Sequence, residues 1–560
     1  MTQAAGPESV IGDFDNVRLS KVLPSPRPSP AGDSTIIREE FFLQRRGDEF
    51  WANVTMFDNR GRSFPIGDHQ IVMTTGSHHY QMYWVSPFPD RTCMIFPFVY
   101  LIADQRWVTR ESALVTPPRA QQKPVIWNGI CIRCHSTHAQ PRANVQQNSS
   151  DTRVAELGIS CEACHGPGQA HAQAHEREDT SAPKLVHPQK LSAQQSAQVC
   201  GQCHAIATFK KRDWDKGYWN KFKPGDDLHQ FRNVVQPTDN ESITEVRQAY
   251  EREDPTYGKL RFGMFQDARF WRDGMVRVSG REYNAITQTK CFEGGEFSCL
   301  SCHSMHHYHE PNDQLSPKMR SDHACMQCHT KDIDLSRIEE HTHHPAESAG
   351  SRCYNCHMPH TTYGLLKAIR SHQVESPSVA TSVETGRPNA CNQCHLDKSL
   401  SWTQEKLVDW YPDTPAVKLT NDEKKISATL LWLLKGDAGQ RALTAWTMGW
   451  KDAQTASGEN WLAPHLSVLL EDPYPAVRYI TARSLHQIDG YEEFEFDYVG
   501  TPDYLSKARR RAVEHWITRP NDHSTTHEPA TLINKDGKLD QQVIERLLSE
   551  RDNRPVDLAE

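Results

Sequence analysis

The 560-residue chain has no stretch near the ~18 consecutive apolar residues that a membrane-spanning helix needs. A basic excess is also missing. Lys and Arg number 63 against 71 Asp and Glu, a net charge of −8, which argues against a nucleic-acid footprint. Apolar residues are few: 37% of the chain is hydrophobic, and the mean hydropathy is −0.70. That is a thin supply for a length that allows two to four domains. Gly 30 and Pro 34 are ordinary counts, so wholesale disorder is excluded. Met1–Val10 lacks the charged stretch followed by an apolar run that marks an export signal.

Two residue types are abundant instead: 16 Cys and 29 His. Disulfides, zinc sites and covalent haem all use cysteine, and spacing separates them. Fourteen of the 16 cysteines fall in seven CxxCH units. These begin at Cys131, Cys161, Cys200, Cys299, Cys325, Cys353 and Cys391 and add Cys134, Cys164, Cys203, Cys302, Cys328, Cys356 and Cys394. They end in His135, His165, His204, His303, His329, His357 and His395. Chance would supply ~0.02 such units in a chain of this composition. The spacing has a chemical reason: two thiols three positions apart reach the two vinyl groups on one porphyrin edge, and the next residue aims an imidazole at the iron. A disulfide scheme leaves the histidine unexplained, and zinc pairs do not require it. Seven covalent c-type haems, with iron, are therefore expected. Porphyrin would also fill part of the core that apolar side chains do not.

Cys93 and Cys291 remain, read either as two buried thiols or as a disulfide. Low-spin electron-transfer haems take a second axial ligand, commonly His or Met. The compact His-rich phrases put forward His79, His138, His171, His306, His344 and His372 for that role, with no pairing of ligand to haem readable.

The expected fold is mainly α with much irregular structure. Residues 1–35, with Pro24, Pro26, Pro28 and Pro30, read as an extended N-terminal segment. Short β-prone runs make 36–120 a β-rich subdomain: Phe41–Leu43, Phe50–Val54, Ile71–Met73, Tyr80–Trp84 and Met94–Leu101, with a turn signal at Asp58–Gly61. Residues 121–400 form the heptahaem domain. Residues 401–495 read as helical, and Asp472-Pro473 followed by Val477-Arg478 and Ala482 resembles a HEAT repeat, a stacked helix pair that can dock partners. Residues 496–560 read as a polar tail with one helix near Gln541–Glu550.

The phrases CEACHGPG at 161–168, HHPAESAGSRCYNCHMP at 343–359 and GRPNACNQCHLDKS at 386–399 resemble a family of bacterial multihaem cytochromes. Its haem domain is similar to that of the ammonia-oxidiser tetrahaem cytochrome and its octahaem enzyme relatives, and members often carry C-terminal helical repeats. The resemblance covers about residues 10–490 and fixes no substrate. It implies an electron carrier in an extracytoplasmic respiratory chain, with redox partner proteins as donor and acceptor. An oxidoreductase acting on a small nitrogen or sulfur compound at one open-site haem is the alternative. The 99-residue gap from Cys200 to Cys299, with Lys210-Lys211-Arg212, Trp214, Tyr218, Trp219 and His229, is the place with room for a pocket. Family members begin with an export signal and one further CxxCH segment ahead of a Val-Ile-Gly-Asp-Phe phrase, which stands here at Val10–Phe14. Haem is attached outside the cytoplasm, so an upstream signal and an eighth motif are expected.

Overall fold

A computed structural model describes residues 2–118, 125–144, 149–177, 181, 184–210, 221–238, 240–253, 258–519, 529–534 and 536–558. The chain divides into two compact units. The first comprises Met1–Ala113, Pro118–Val234 and Ser298–Leu300; the second comprises Leu114–Pro117, Val235–Phe297 and Ser301–Glu560.

The first unit is built on an eight-stranded antiparallel sheet. Its strands are β1 (Thr2–Ala4), β2 (Asp15–Pro28), β3 (Thr35–Arg46), β4 (Glu49–Asp58), β5 (Ser63–Thr75), β6 (Tyr80–Val85), β7 (Met94–Leu101) and β8 (Arg106–Thr109). They pair in sequence order from β2 to β8, with β1 added alongside β5. Alternation along the strands explains the sheet. Phe50, Ala52 and Val54 of β4 share one face with Phe41 and Leu43 of β3 and with Phe96 and Phe98 of β7, in one buried cluster. The turn at Asp58–Gly61 closes through the Gly61 N–H to the Asp58 carbonyl at 3.1 Å, with Gly61 at φ +79°.

The sheet reaches back further than the β-prone runs indicate. Residues 15–28, expected as a lead-in, are the edge strand β2. An edge position tolerates prolines because one side of the strand needs no donors, and the register shifts between Val22 and Arg27, across the proline-rich part.

The opposite sheet face carries chemistry. Met73 of β5 and Trp84 of β6 pack with Trp127, Ile132 and Ala139, and with Cys93 and Cys131 at the margin. The first CxxCH unit is thus seated on the sheet through Ile132, which is fully buried. Cys93 and Cys291 are both free thiols.

The second unit is helical around its motifs. Leu400–Trp410, Ala428–Lys435, Ala438–Met448 and Pro475–Leu485 contribute to its apolar core. Asp472 is fully buried and accepts two bonds from Arg441, at 2.6 and 3.2 Å. Its carbonyl accepts from Arg478 at 2.6 Å. Among the described residues beyond 496 there are two α-helices where the sequence indicates one: Gln541–Ser549 and also Pro502–Thr518. The latter buries only Leu505, Ala508, Ala512 and Trp516. A stripe half made of alanine is a weak apolar signal in a sequence.

A candidate multihaem site

Five of the seven CxxCH units are one helical turn, either 3-10 or α, and the third and fifth start at the ends of the helices Ala193–Gly201 and His323–Met326. In the first, third and seventh units the histidine N–H reaches back to the first cysteine carbonyl, at 3.0 Å (His135), 2.9 Å (His204) and 2.9 Å (His395). The second and sixth units are the helices Cys161–His165 and Cys353–His357. Residues three apart on such a turn lie on one side, so both thiols face the same way.

The histidines are then aimed by their second nitrogen. Nδ1 of His165 bonds the Val186 carbonyl at 2.7 Å, Nδ1 of His303 that of Asp313 at 2.9 Å, and Nδ1 of His357 that of Glu375 at 2.9 Å. A carbonyl accepts only from N–H, so the lone pair is left on Nε2, the nitrogen free to bind a metal. Glu375 is itself held by Arg387, at 2.5 Å, and Arg387 also pairs with Asp273 at 2.8 Å. Burial holds the imidazoles of His357 and His395 below the usual histidine range. They are therefore neutral, the state that ligates metals.

Four of these imidazoles face a second one. The ring centres are 6.3 Å apart for His165 and His187, and 6.2 Å for His303 and His372. They are 6.2 Å apart for His357 and His341, and 5.9 Å for His395 and His344. An imidazole–metal bond of about 2.0–2.1 Å on each side, with roughly 1.1 Å from nitrogen to ring centre, calls for about 6.3 Å. The donor set therefore fits haem iron between two imidazoles. His344 carries the same anchoring as His165, His303 and His357: its Nδ1 bonds the Thr342 carbonyl at 2.6 Å. Gly350 backs this ring, for a Cβ there would stand 2.3 Å from His344 Cδ2.

Of the histidines singled out in the sequence, His344 and His372 lie in these pairs. His341 and His187 do so too, and sequence reading missed them. His341 belongs to the same HTHHP phrase as His344, whereas His187 stands in Leu185-Val186-His187-Pro188 with no neighbouring histidine to mark it. His171 packs on His175 with centres 4.4 Å apart, too close for a metal between them. His79 ends the turn into β6, its carbonyl accepting from Ile102 at 3.1 Å. His138 follows the first unit in left-handed backbone (φ 52°), and the His306 carbonyl accepts the Ser304 hydroxyl. The rings of His79, His138 and His306 are not among the four facing pairs. In the long gap, His229 lies in the 3-10 turn Leu228–Gln230, while Lys211, Arg212, Trp214, Tyr218 and Trp219 lie outside the described residues.

Cysteines of different motifs also meet within each compact unit. In the first unit the Cys134 thiol faces Cys203 and Cys200 faces Cys299. In the second, Cys325 faces Cys353, and Cys356 lies within electrostatic reach of Cys391 and Cys394.

Residues 337–455 match the family model for cytochrome c552, and residues 109–166 that for cytochrome c554 and c-prime. The first match takes in the last two CxxCH units and the second match the first two. These findings support a multihaem c-type cytochrome. Covalent haem c, with iron, is what such families carry, and electron transfer is what it serves. No curated protein matches the chain. Among solved structures, that of the outer cell wall cytochrome OcwA is similar over 74% of this chain and 88% of that chain, at 19% identity and a TM-score of 0.40. No helix among the described residues is long and apolar enough to cross a membrane.

Proposed function

We propose that the chain carries electrons through seven covalent haems, attached at the fourteen motif cysteines and ligated on one face by the motif histidines. His187, His372, His341 and His344 supply the opposite ligand to the haems of His165, His303, His357 and His395. The observation that carries this reading is the set of ring separations, 5.9 to 6.3 Å, across which an iron fits. When bound, haem supplies reversible one-electron chemistry. The chain's own contribution is to orient the imidazoles through Nδ1 and to hold successive motifs side by side.

The proposed setting is an extracytoplasmic respiratory chain with redox protein partners, because c-type haem is attached outside the cytoplasm. The helices of 401–495 are proposed as HEAT-like packing, and their surface as a docking site for a partner. The Asp472–Arg478 turn and its buried Arg441 partner support the first part of that reading.

A pyridine haemochrome assay tests the reading, with about seven haems per chain expected to survive acid–acetone extraction. Ferric EPR should be dominated by low-spin signals. Extractable colour, or a spectrum dominated by high-spin iron, would refute it.

A further inference from the structure

Arg370 ends the hairpin that follows the sixth motif and stands opposite His360 in register. Its guanidinium clamps that motif. Nη1 donates to the carbonyls of Tyr354 and Met358 at 3.0 and 3.2 Å, and Nη2 donates to the side-chain oxygen of Asn355 at 2.6 Å. The same group lies over the Tyr354 ring at 4.5 Å and over the Trp450 ring at 6.0 Å. All of these partners are neutral. Among the described residues no carboxylate forms an ion pair with Arg370, and Asp452 attracts it only from a distance. Arg387, near the same motif, differs in being matched by Glu375 and Asp273. His360 adds no second charge. Burial first, and then the Arg370 cation, hold its imidazole well below the usual histidine range, and its ring packs on Trp446 and Trp450 with centres 4.5 and 5.1 Å away. Desolvation lowers the Arg370 pKa as well, but a guanidinium starts so high that it stays charged. The charge also reaches beyond its own motif: Cys356 of the sixth and Cys394 of the seventh both lie within its electrostatic reach.

We propose that the unmatched charge of Arg370 raises the reduction potentials of two haems at once, those of the sixth and seventh motifs, and so draws electrons toward that pair. The proposal rests on reading the motifs as haem sites and deepens it by naming a residue that sets where electrons settle. Reducing a ferric haem adds one electron and removes one unit of positive charge. A fixed cation beside it therefore repels the ferric state more than the ferrous state. The effect is large only where solvent and counter-charges do not cancel the cation, and Arg370 is half-buried with neutral partners. Its three bonds to the sixth motif hold the charge at a fixed place, so the same group acts as clamp and as cation.

Spectroelectrochemical titration of the full-chain holoprotein tests this, with the haemochrome count taken first. A chain without covalent haem refutes the underlying reading, is recognised as such, and takes this proposal with it. With the haems present, Arg370→Gln removes the charge and should lower two midpoint potentials while leaving the others in place. Arg370→Lys keeps a charge but loses the forked clamp, and should leave both potentials near the wild-type values. A purely structural role predicts the reverse pattern, with both variants disturbed alike. The two haems that move should be those turned high-spin by His341→Ala and by His344→Ala, followed singly by EPR during the titration. Should Arg370→Gln lose its haems, Asn355→Asp serves in its place. It leaves the arginine where it is and gives it a carboxylate partner, so both potentials should again fall. Unchanged potentials in Arg370→Gln or, where it is used, Asn355→Asp overturn the proposal. So does a shift spread over all the haems, a shift confined to haems other than those two, or a fall in Arg370→Lys as large as that in Arg370→Gln.

Discussion

The imidazoles of His341 and His357 face each other with ring centres 6.2 Å apart and planes 11° apart. Three residues further on, His344 faces His395 at 5.9 Å. One turn, at the end of the helix Ile338–Thr342, thus presents imidazoles to two motifs. Between them His343 takes left-handed backbone (φ 55°) and stacks on Trp410 at 4.4 Å, while Tyr411 bonds the His341 carbonyl. His341→Ala and His344→Ala should each turn one haem of the holoprotein high-spin, leaving the haem count unchanged. Ferric EPR measures this, and two variants with unchanged low-spin spectra would defeat the ligand assignment.

Gly350 offers a test that leaves every ligand in place. A methyl group there would press on the His344 ring. Gly350→Ala should therefore weaken the sixth ligand opposite His395 and raise high-spin iron, while Gly263→Ala, with nothing within 4 Å, should not.

The hairpin between the sixth motif and His372 is strained. Its strands, His360–Gly364 and Lys367–Arg370, are joined by Leu365 and Leu366, both left-handed at φ 53° and 58°. Such a two-residue turn suits Asn-Gly, and left-handed backbone costs roughly 1–2 kcal/mol per ordinary residue. Replacing Leu365-Leu366 by Asn-Gly is expected to raise Tm, less whatever packing the half-buried and buried leucines lose. An unchanged low-spin signal would show that His372 keeps its place opposite His303.

Arg441 and Asp472 form a buried pair, 1% and 0% exposed. Removing one partner alone strands a buried charge and should cost about 3–5 kcal/mol. Asp472→Ala should fall in that range in urea unfolding, and Arg441→Met with Asp472→Leu should recover part of it.

His465 gives the fold a pH dependence. Its Nε2 donates to the Thr531 carbonyl at 2.8 Å, and burial pulls its pKa down to about 4. The folded state therefore refuses a proton that the unfolded chain accepts near pH 6.5. The contribution is fully present above pH 6.5 and is lost as pH falls from there to 4, by an amount on the order of 3 kcal/mol. Tm measured across that window should fall less steeply in His465→Gln.

The residues proposed for haem attachment could be picked out in the sequence because covalent attachment is a local demand. Two thiols and an imidazole within five consecutive residues satisfy it, whatever the rest of the chain does. The sheet strands were legible for the same reason: short runs of β-prone residues such as Phe50–Val54 and Met94–Leu101 are local signals. The edge strand β2 was less so, since its pairing with β3 is non-local and its prolines argue for a loop until the unpaired side is known.

The second imidazoles belong to the other class. His187 and His341 were not singled out, while His171, which was, packs on His175. Sequence separation carries no information here: His372 meets His303 across 69 residues, and His187 meets His165 across 22. What decides is where the chain returns, and that is set by buried contacts such as Gly350 under His344 and Arg387 on Glu375. By itself the sequence determined which residues can bind haem. The tertiary structure alone decided which imidazoles stand opposite one another, because a ligand pair is a distance of about 6 Å between rings, and only folding sets that distance.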